Sequence, residues 1–496
     1  MGTYTITQGL HYINGQWTGG SQQAAFDSKN PATKEIIGSF PQASQSEVDS
    51  TYHFARDSFY GWREYGRVRR AEYFLKLANL IEERKDEIAK AISLETGKVY
   101  NESIAEVNEA LHMAQYAFST GRMPYGEAIA SELPEKDAYM LRKPKGVVAI
   151  VAPFNFPFAI GGFWCAAPAL VEGNTVILKP SEDTPLIGQI TAELYHEAGF
   201  PPGVYNLVHG MGDTGKELVQ DNHVDCILFT GSAAVGQEIR QHCATTWHKT
   251  CSCEMGSKSA VITFKDGNLS LAVDVSVASA FKLSGQRCVS SGRLIVQRDI
   301  FDEFKNRFLK KVENVKTGNV FEEENVLYGP IINSKQLKRV EYFNQLVRLD
   351  DDAKVLVDGG RLDRDGQFMS PFVYEVEWAD KEYLKTEVFG PHVALIPFDT
   401  VDDAIRIYND TDYGLALGVV TESFRTMRKC RDECNTGMLY LNGGSIAAES
   451  HLPFGGIKKS GNGWKSAVGT YKAVTEEIAV TTNYEEGALT WAQGMK

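Results

Sequence analysis

The sequence has no excess of positive charge and no long hydrophobic run that is free of helix breakers. Its 496 residues carry a formal net charge of −13 at pH 7. Nucleic acids and anionic membranes are bound through clustered Lys and Arg, so this acidic balance argues against either kind of partner. With 43% hydrophobic residues, the chain still has enough apolar material for a large core divided into two or three domains.

The segment that comes nearest to a membrane span is 146–171, which contains no charged residue. A segment of this length would cross a bilayer. However, Pro153, Pro157 and Pro168 interrupt it, and prolines this dense break a lipid-exposed helix. We therefore expect a buried strand, a turn and a buried helix here, and no membrane partner.

The N-terminus lacks the basic start and apolar run of a secretory signal. Without that context, the eight cysteines are expected to be free thiols of a cytoplasmic protein. Cysteines and histidines in segment 242–253, and two cysteines in segment 430–434, raise the question of a metal. Their spacings fit no standard zinc site, so we expect no metal.

Short apolar strands alternate with helix-length segments over residues 145–256. The predicted strands are 147–153, 175–180, 205–210, 226–232 and 248–256. Such alternation predicts a parallel sheet wrapped by helices, with ligands outside the carboxyl ends of the strands. A second α/β region follows over 257–456. Its predicted elements include strands at 259–264 and 292–297 and helices near 268–286 and 299–314.

The remaining segments lie outside these two regions. Near the start of the chain we predict a hairpin at Asn14-Gly15 and a helical stretch over residues 74–92, ended by Gly97. The segments 122–144 and 474–484 are strand-like. Because isolated strands need partners, we expect them to join across subunits in a homodimer or homotetramer.

Cys288, in SGQRCVSSG, is the first candidate for chemistry. A thiol that follows a helix-length segment can be an exposed nucleophile, activated by local dipoles and by the adjacent Arg287. The alternative is a buried structural cysteine, because free cysteines are among the most buried residues. Position alone leaves both interpretations open.

Glu254 and Asn155 are the other two candidates. Glu254 ends an apolar strand, and a carboxyl group in apolar surroundings has a raised pKa that suits a general base. Asn155 follows a strand in a proline-framed turn, from which an amide can donate to a developing oxyanion. The alternatives are a solvated glutamate and an asparagine that satisfies local backbone.

The segments that hold these three residues resemble the aldehyde dehydrogenase superfamily, in its NAD(P)-dependent, hydrolytic, non-CoA-acylating form. The family's P-x-N-F-P turn, E-x-G-x-K-S strand end and G-Q-x-C nucleophile occur in the family's order. Further matches are VILKPSE (176–182), FTGS (229–232), TEVFGP (386–391) and HLPFGG (451–456). The resemblance covers nearly the whole chain.

The resemblance implies an α/β fold with a Rossmann-like cofactor domain, an α/β catalytic domain and a small bridging β-sheet. It assigns residues 1–121 and 145–256 to NAD(P) binding and 257–456 to catalysis. Residues 122–144 and 474–496 become bridging segments of an oligomer. A G-x-G-x-x-G run at 210–215 then lies in a tight turn near the adenine, and the pyrophosphate is held one unit later.

By position, Cys288 resembles the family's nucleophile, Glu254 its general base, and Asn155 an oxyanion donor that acts with the Cys288 N–H. The resemblance also implies a set of residues that contact the cofactor: Phe154, Lys179, Ser181, Glu182, Gly212, Gly231, Ser232, Glu387 and Phe389. Of these, Lys179 and Glu182 match ligands of the adenosine ribose. Glu387 matches the ligand of the nicotinamide ribose. A carboxylate at the adenosine ribose favours NAD, with NADP possible.

These roles imply oxidation of an aldehyde to a carboxylic acid through a hemithioacetal and a thioester on Cys288, with Glu254 activating water. A CoA-acylating relative and a non-catalytic protein on the same fold are the alternatives. The C-terminal HLPFGGIKKSGNG resembles branches that act on amino-acid-derived semialdehydes. The family's L-E-L-G-G-K is CEMGSK here, so Ser257 adds a side chain near the nicotinamide path.

Overall fold

The computed structural model describes residues 8–20 and 25–484. Residues 1–7 and 21–24 of the predicted cofactor domain lie outside the described residues. The same holds for residues 485–496 of the predicted bridging segment 474–496.

The strands are numbered in chain order. They are β1 His11–Ile13, β2 Gln16–Thr18, β3 Ala25–Lys29, β4 Ile36–Pro41, β5 Gly126–Ile129, β6 Lys136–Pro144, β7 Val147–Val151, β8 Thr175–Lys179, β9 Tyr205–Leu207, β10 Cys226–Thr230, β11 Thr250–Glu254, β12 Ser259–Thr263, β13 Ser291–Gln297, β14 Lys354–Val357, β15 Phe372–Glu375, β16 His392–Phe398, β17 Ala416–Val420, β18 Met438–Leu441, β19 Pro453–Phe454, β20 Ser466–Ala467 and β21 Thr475–Asn483.

The helices surround these strands. They are α1 Gln45–Glu64, α2 Arg67–Glu83, α3 Lys85–Thr96, α4 Tyr100–Thr120, α5 Ala166–Val171, α6 Pro185–Glu197, α7 Gly212–Gln220, α8 Ala233–Ala244, α9 Leu269–Phe281, α10 Phe301–Val312, α11 Ser334–Arg348, α12 Glu382–Lys385, α13 Val401–Asn409, α14 Phe424–Glu433 and α15 Thr470–Ala473. A π-helix spans Pro157–Cys165, and 3-10 helices span Lys282–Gly285, Arg298–Ile300 and Lys458–Ser460.

The first large sheet has the strand order β11-β10-β7-β8-β9-β1-β2. Its first five strands in this order, β11 to β9, are parallel, as the alternating pattern predicts. The parallel part of the sheet starts in the chain at β7, moves outward through β8 and β9, and then crosses to β10 on the other side of β7. The gap between β7 and β10 is therefore a topological switch point, where open α/β sheets bind ligands at the carboxyl ends of their strands.

The second large sheet has the order β14-β15-β16-β13-β12-β17-β18. All of its pairs are parallel except β14 with β15. Its central strands are buried on both faces, which explains why their sequences are continuous apolar runs. The prediction of an α/β fold with two sheet regions is confirmed.

The strand-like segments 122–144 and 474–484 form a third sheet, with the order β21-β6-β5. β21 pairs antiparallel with β6 along its whole length, from Thr475 opposite Pro144 to Asn483 opposite Lys136. The two segments were expected to find their partners in other subunits, but they pair with each other within one chain. β5 and β21 remain as the outer strands of this sheet.

Three local features refine the sequence prediction. The hairpin at Asn14-Gly15 is confirmed, and both residues have positive φ, 51° and 78°. Gly97 ends α3 with φ of 76°, as predicted. The predicted helix over 268–286 ends earlier, at Phe281, because Leu283 and Ser284 adopt left-handed backbone angles.

The uncharged segment 146–171 folds as expected into a buried strand, a turn and buried helix. Every residue of the π-helix and of α5 is buried within the protein. Among the residues that the structure describes, no helix combines the length and apolar character needed to cross a bilayer.

The third sheet leads to a prediction about assembly. All four residues of β5 are exposed, and Ile129 keeps 53% of its surface in solvent. An open outer strand with an apolar side chain favours pairing with another chain. Static light scattering at micromolar concentration should therefore give two or four times the mass of one chain. Ile129→Lys should shift this mass downward, whereas a monomer for the unaltered protein would contradict the prediction.

Candidate active site

The two large sheets are joined by a short connection that lies at the candidate site. β11 ends at Glu254 in the first sheet, and β12 begins at Ser259 in the second. The nucleophile candidate, Cys288, lies just before β13, the neighbour of β12. The carboxyl ends of the first sheet thus meet the amino ends of the second, and groups far apart in sequence come together here.

Cys288 is the half-buried member of eight free cysteines, and the other seven are buried. Burial, together with the charges of Glu387 and Glu254, raises the pKa of its thiol to about 12. The backbone N–H groups of Val289 and of Cys288 itself act in the opposite direction. The thiol is therefore reachable from solvent, faces two peptide donors, and is protonated at neutral pH.

Glu254 is buried, with 4% of its surface exposed. Its Oε2 accepts a hydrogen bond of 3.2 Å from the Gly456 N–H. A side chain at Gly455 would collide with Oε1, because an added Cβ would lie 2.1 Å from it. The HLPFGG segment thus encloses the carboxyl group. Burial raises its pKa well above the ordinary value, while the Lys465 charge acts to lower it.

Asn155 is buried at the turn after β7. Its side-chain amide donates a hydrogen bond of 2.9 Å to the Gln286 carbonyl, in the loop that leads to Cys288. This contact brings the predicted oxyanion donor to the predicted nucleophile loop. The structure therefore places Asn155, Glu254 and Cys288 in one region, although they come from three separate parts of the chain.

Arg287 does not activate the thiol in the way the sequence suggested. Its guanidinium turns away to Glu102 of α4, with an N–O distance of 2.6 Å. It also lies 5.3 Å from the centre of the Phe156 ring. The expected activation by Arg287 is wrong, since its charge is neutralised by a nearly buried carboxylate.

A second buried ion pair joins Glu106 of the same helix to Lys98, which lies just before that helix. Lys98 and Glu106 are bonded to each other and are fully buried. Glu106 also accepts hydrogen bonds from the N–H groups of Phe158 and Ala159, at 2.8 and 3.2 Å. These two N–H groups open the π-helix that follows the Asn155 turn. Glu106 therefore holds the turn that carries the candidate oxyanion donor.

Glu102 holds the loop that carries Cys288, as Glu106 holds the Asn155 turn. Besides binding Arg287, it accepts a 3.2 Å hydrogen bond from the Leu283 N–H, at the left-handed turn before Cys288. The sequence motifs do not include Lys98, Glu102 or Glu106. Burial of the two glutamates could have been inferred from their i, i+4 spacing on a helix whose other buried residues are small or apolar.

Of the cofactor residues implied by the resemblance, four follow β8 and β9. Lys179 ends β8, and its buried ammonium lies 3.6 Å from the carboxylate of Glu182. Ser181 lies between them, and its Oγ accepts a 3.3 Å hydrogen bond from the Asp183 N–H. Gly212 is the first residue of α7, and a Cβ at this position would meet open space.

Gly231 and Ser232 follow β10 and lead into α8. The side chain of Ser232 caps this helix by accepting from the Val235 N–H, at 3.4 Å. The Gly231 N–H donates to the Glu254 carbonyl, at 3.0 Å. A helix N-terminus at a switch point offers peptide N–H groups and a partial positive charge to an anion.

The other three implied cofactor residues come from both sheets. Glu387 and Phe389 lie before β16 of the second sheet, and Phe154 follows β7 of the first. Glu387 Oε1 accepts a 2.7 Å hydrogen bond from the Ser257 N–H, and burial raises the pKa of this carboxyl group to about 7. Phe389 has a positive φ of 63°. Its ring packs edge-on against Phe154, with the ring centres 5.9 Å apart. The implied cofactor set thus takes Glu387 and Phe389 from the second sheet and the remaining residues, including Phe154, from the first.

The described residues contain no group of three or more His, Cys, Asp and Glu side chains arranged to hold a metal ion. In segment 242–253, Cys243, Cys251 and Cys253 are all buried. Cys253 Sγ contacts the Gly236 carbonyl, at 3.9 Å.

Comparisons with known proteins agree with this arrangement. A sequence model of the aldehyde dehydrogenase family matches residues 17–480. The chain is 32% identical to the α-ketoglutaric semialdehyde dehydrogenase of Bacillus subtilis, over 91% of this chain and 93% of the relative. It is 35% identical to the mitochondrial succinate-semialdehyde dehydrogenase of Oryza sativa, over 92% and 86% of the two chains.

Solved structures give the same result. Betaine aldehyde dehydrogenase from Staphylococcus aureus in complex with NAD+ is similar, with a TM-score of 0.93 and 28% identity over 99% of this chain and 98% of that chain. Lactaldehyde dehydrogenase from Escherichia coli has a TM-score of 0.91 and 30% identity, over 96% and 99% of the chains. Two joined α/β sheets with a thiol and a carboxyl group at their junction define this class of oxidoreductase. The chain belongs to the aldehyde dehydrogenase family.

The raised pKa of Cys288 leads to a prediction about its reactivity. A free cysteine titrates near pH 8.5, so its alkylation rate levels off above that pH. With a thiol pKa raised to about 12, the rate of Cys288 alkylation by iodoacetamide should keep rising about tenfold per pH unit up to pH 9.5. Mass spectrometry of the Cys288 peptide measures this rate. A plateau near pH 8.5 would show that the thiol is not shielded as described.

Proposed function

We propose that this protein oxidises an aldehyde to the corresponding carboxylic acid, with Cys288 as nucleophile, Glu254 as general base and NAD as cofactor. One observation carries the proposal. A half-buried thiol faces peptide N–H groups, lies in the same region as the Asn155 amide, and feels the charge of a buried carboxyl group with a strongly raised pKa. This set supplies a nucleophile, an oxyanion donor and a base.

The first chemical step is addition of the Cys288 sulfur to the aldehyde carbon. The thiol proton must leave, and Glu254 is the group placed to accept it directly or through water. Within the described part of the chain, Glu254 Oε1 has no hydrogen-bond partner. The developing oxyanion of the hemithioacetal then accepts from the Cys288 N–H and from the Asn155 amide, whose other proton binds Gln286.

Several residues fit NAD. NAD, when bound, supplies an acceptor for the hydride of the substrate carbon. Lys179 and Glu182 offer a donor and an acceptor side by side, which suits the two hydroxyls of the adenosine ribose. Ser232 and the start of α8 suit the pyrophosphate. Glu387 suits the nicotinamide ribose, with Phe389 and Phe154 packed beside it. Ser181, Gly212 and Gly231 complete the proposed contacts.

The choice between cofactors follows from Glu182. Its carboxylate accepts hydrogen bonds from free ribose hydroxyls and repels a 2′-phosphate. The nearby ammonium of Lys179 softens that repulsion. We therefore expect a preference for NAD, with some use of NADP. The Staphylococcus aureus structures that contain NAD+ support this choice.

Hydrolysis completes the reaction. Once the proton taken from the thiol has passed from Glu254 to solvent, Glu254 takes a proton from water, the resulting hydroxide adds to the thioester carbon, and the carbon–sulfur bond breaks. The acid leaves and Cys288 is regenerated as a thiol. A base with a raised pKa suits this step, because it can accept a proton near neutral pH and return it to the sulfur.

Domain roles follow from the positions of these residues. We propose that residues 1–121 with 145–256 bind the cofactor, and that 257–456 carry catalysis. Residues 122–144 with 474–496 would bridge the subunits of a homodimer or homotetramer. The eight free cysteines support a reducing, cytoplasmic location.

The substrate is proposed to be an amino-acid-derived semialdehyde. Near Cys288 lies half-buried Glu109, whose pKa burial raises to about 7 and whose carboxylate form can bind an amino group. Tyr440 lies near Cys288 and Glu109, because burial raises its pKa to about 12 and these two groups add to the effect. Relatives named for α-ketoglutaric semialdehyde, succinate semialdehyde and 1-pyrroline-5-carboxylate all have carboxylate-bearing substrates in their names.

Glu254→Gln tests the proposed base. A glutamine cannot accept a proton, so hydrolysis should fall and steady-state NADH production should drop roughly 10²–10⁴-fold. If enough Cys288 ionises without Glu254, the first turnover still yields NADH and an acyl group accumulates on Cys288. Stopped-flow absorbance and intact mass measure the two effects.

Cys288→Ser is the control for this experiment, because it should abolish both the burst and the acyl adduct while NAD still binds. A slowed burst in Glu254→Gln would mean that Glu254 also deprotonates the thiol. Normal steady-state turnover in that variant would remove Glu254 from the mechanism and favour transfer of the acyl group to CoA.

The substrate proposal is tested with aldehydes of equal chain length that carry an amino acid group, a carboxylate alone, or neither. kcat/KM should be highest for the amino acid semialdehyde. Glu109→Gln should lower kcat/KM for the aldehyde with an amino group by roughly 10- to 100-fold, the cost of losing a charged hydrogen bond. The same variant should leave kcat/KM for the other two aldehydes unchanged. A preference for the uncharged aldehyde would contradict the assignment.

A further inference from the structure

The side chain of Ser257 is buried and bonded to the backbone of the nucleophile. Its hydroxyl donates to the Cys288 carbonyl oxygen. The same oxygen atom of Ser257 lies 2.8 Å from Ser259 Oγ and accepts from the Ser259 N–H at 3.3 Å. The hydroxyl proton is thus directed to Cys288, and the lone pairs are directed to Ser259.

The bond to the Cys288 carbonyl fixes the orientation of one peptide plane. In a trans peptide the C=O of one residue and the N–H of the next point in opposite directions. The described residues contain no cis peptide bond, so anchoring the Cys288 carbonyl fixes the direction of the Val289 N–H. That N–H is one of the two backbone donors that face the Cys288 thiol.

The next peptide is anchored as well. Ser445 Oγ donates to the Val289 carbonyl at 2.6 Å, and Ser291 Oγ lies 2.8 Å from Ser445 Oγ. Serine hydroxyls therefore anchor both carbonyls that flank the Val289 N–H. Ser257 differs from the other serines in holding the carbonyl of the nucleophile itself.

We propose that Ser257 is a positioning residue, whose hydroxyl aims the Val289 N–H at the sulfur of Cys288 and so promotes ionisation of the thiol. The inference rests on the proposed role of Cys288. The family's L-E-L-G-G-K pattern has a glycine at this position, and a glycine cannot make this hydroxyl bond. The hydroxyl is directed to Cys288 and Ser259, whereas the sequence alone had placed a side chain near the nicotinamide path.

A donor to the carbonyl also strengthens the N–H of the same peptide, because hydrogen bonds in a chain polarise one another. Loss of the Ser257 hydroxyl should therefore leave the thiolate with a weaker and less well directed donor. Glu254, Glu387 and Tyr440 also face the thiol. Variants are accordingly compared at one pH, with these three groups unchanged.

The test uses Ser257→Ala and Ser257→Gly in the full-length protein. At pH 8, the rate of iodoacetamide alkylation at Cys288 should fall about three- to tenfold in both variants, as expected for losing one hydrogen bond. The rate of the first turnover should fall by the same factor, while the Kd for NAD stays within twofold. Ala and Gly both lack the hydroxyl but differ in size, so equal losses attribute the effect to the hydroxyl.

Ser259→Ala is the matched control. It removes the neighbouring hydroxyl but leaves the Ser257–Cys288 bond in place, so alkylation at Cys288 should stay within twofold of the unaltered protein. Unchanged alkylation in Ser257→Ala and Ser257→Gly would overturn the proposal. An equal loss in Ser259→Ala would also overturn it, because the effect would then come from the packing of the two serines.

Folding is checked by the thermal unfolding midpoint, and the smaller Ser257→Gly replaces the alanine variant if the latter does not fold. Failure of the proposed function has a different signature. If Cys288→Ser still oxidised aldehydes, the proposed role of Cys288 as nucleophile would be wrong, while the alkylation comparison would still decide the role of Ser257.

Discussion

The connection from Glu254 to Ser259 is the constraint on which the candidate site depends. It leaves one sheet and enters the other within five Cα–Cα steps, which span no more than about 18 Å when extended. The ends of the two sheets must therefore meet. Within this connection, Ser257 binds Glu387 from one loop and Cys288 from another. Groups more than 100 residues apart in the chain are thus held in one place by a segment that has little freedom.

Buried charges on α4 hold the loops around that connection. Glu106 pairs with Lys98 and binds two N–H groups after the Asn155 turn, while Glu102 pairs with Arg287 and binds the turn before Cys288. Removing one member of a buried ion pair costs about 3–5 kcal/mol, because the other charge stays buried without a partner. This cost is a large part of a domain's stability, so the two loops have little freedom to separate.

Burial decides the protonation of the site. It raises the pKa values of Cys288, Glu254 and Glu387 together, since each charge would lie in an environment poor in water. The peptide donors that face the thiol reduce this effect without reversing it. A proton must therefore leave the thiol before sulfur attacks, and Glu254 in its carboxylate form can receive it, because its raised pKa makes that carboxylate a stronger base. Burial therefore both keeps the Cys288 thiol protonated and makes the Glu254 carboxylate a stronger base.

The sequence by itself determined what depends on neighbouring residues. The parallel strands, the Asn14-Gly15 hairpin and the Gly97 helix end were predicted. Their signals, the spacing of apolar residues and the residue types at turns, lie within a few neighbouring residues. The ordered motifs also indicated Asn155, Glu254 and Cys288. Only the tertiary structure decided where side chains point and which distant elements pair. Arg287 turned to Glu102, and β21 paired with β6 more than 300 residues away, because such contacts depend on how the whole chain packs.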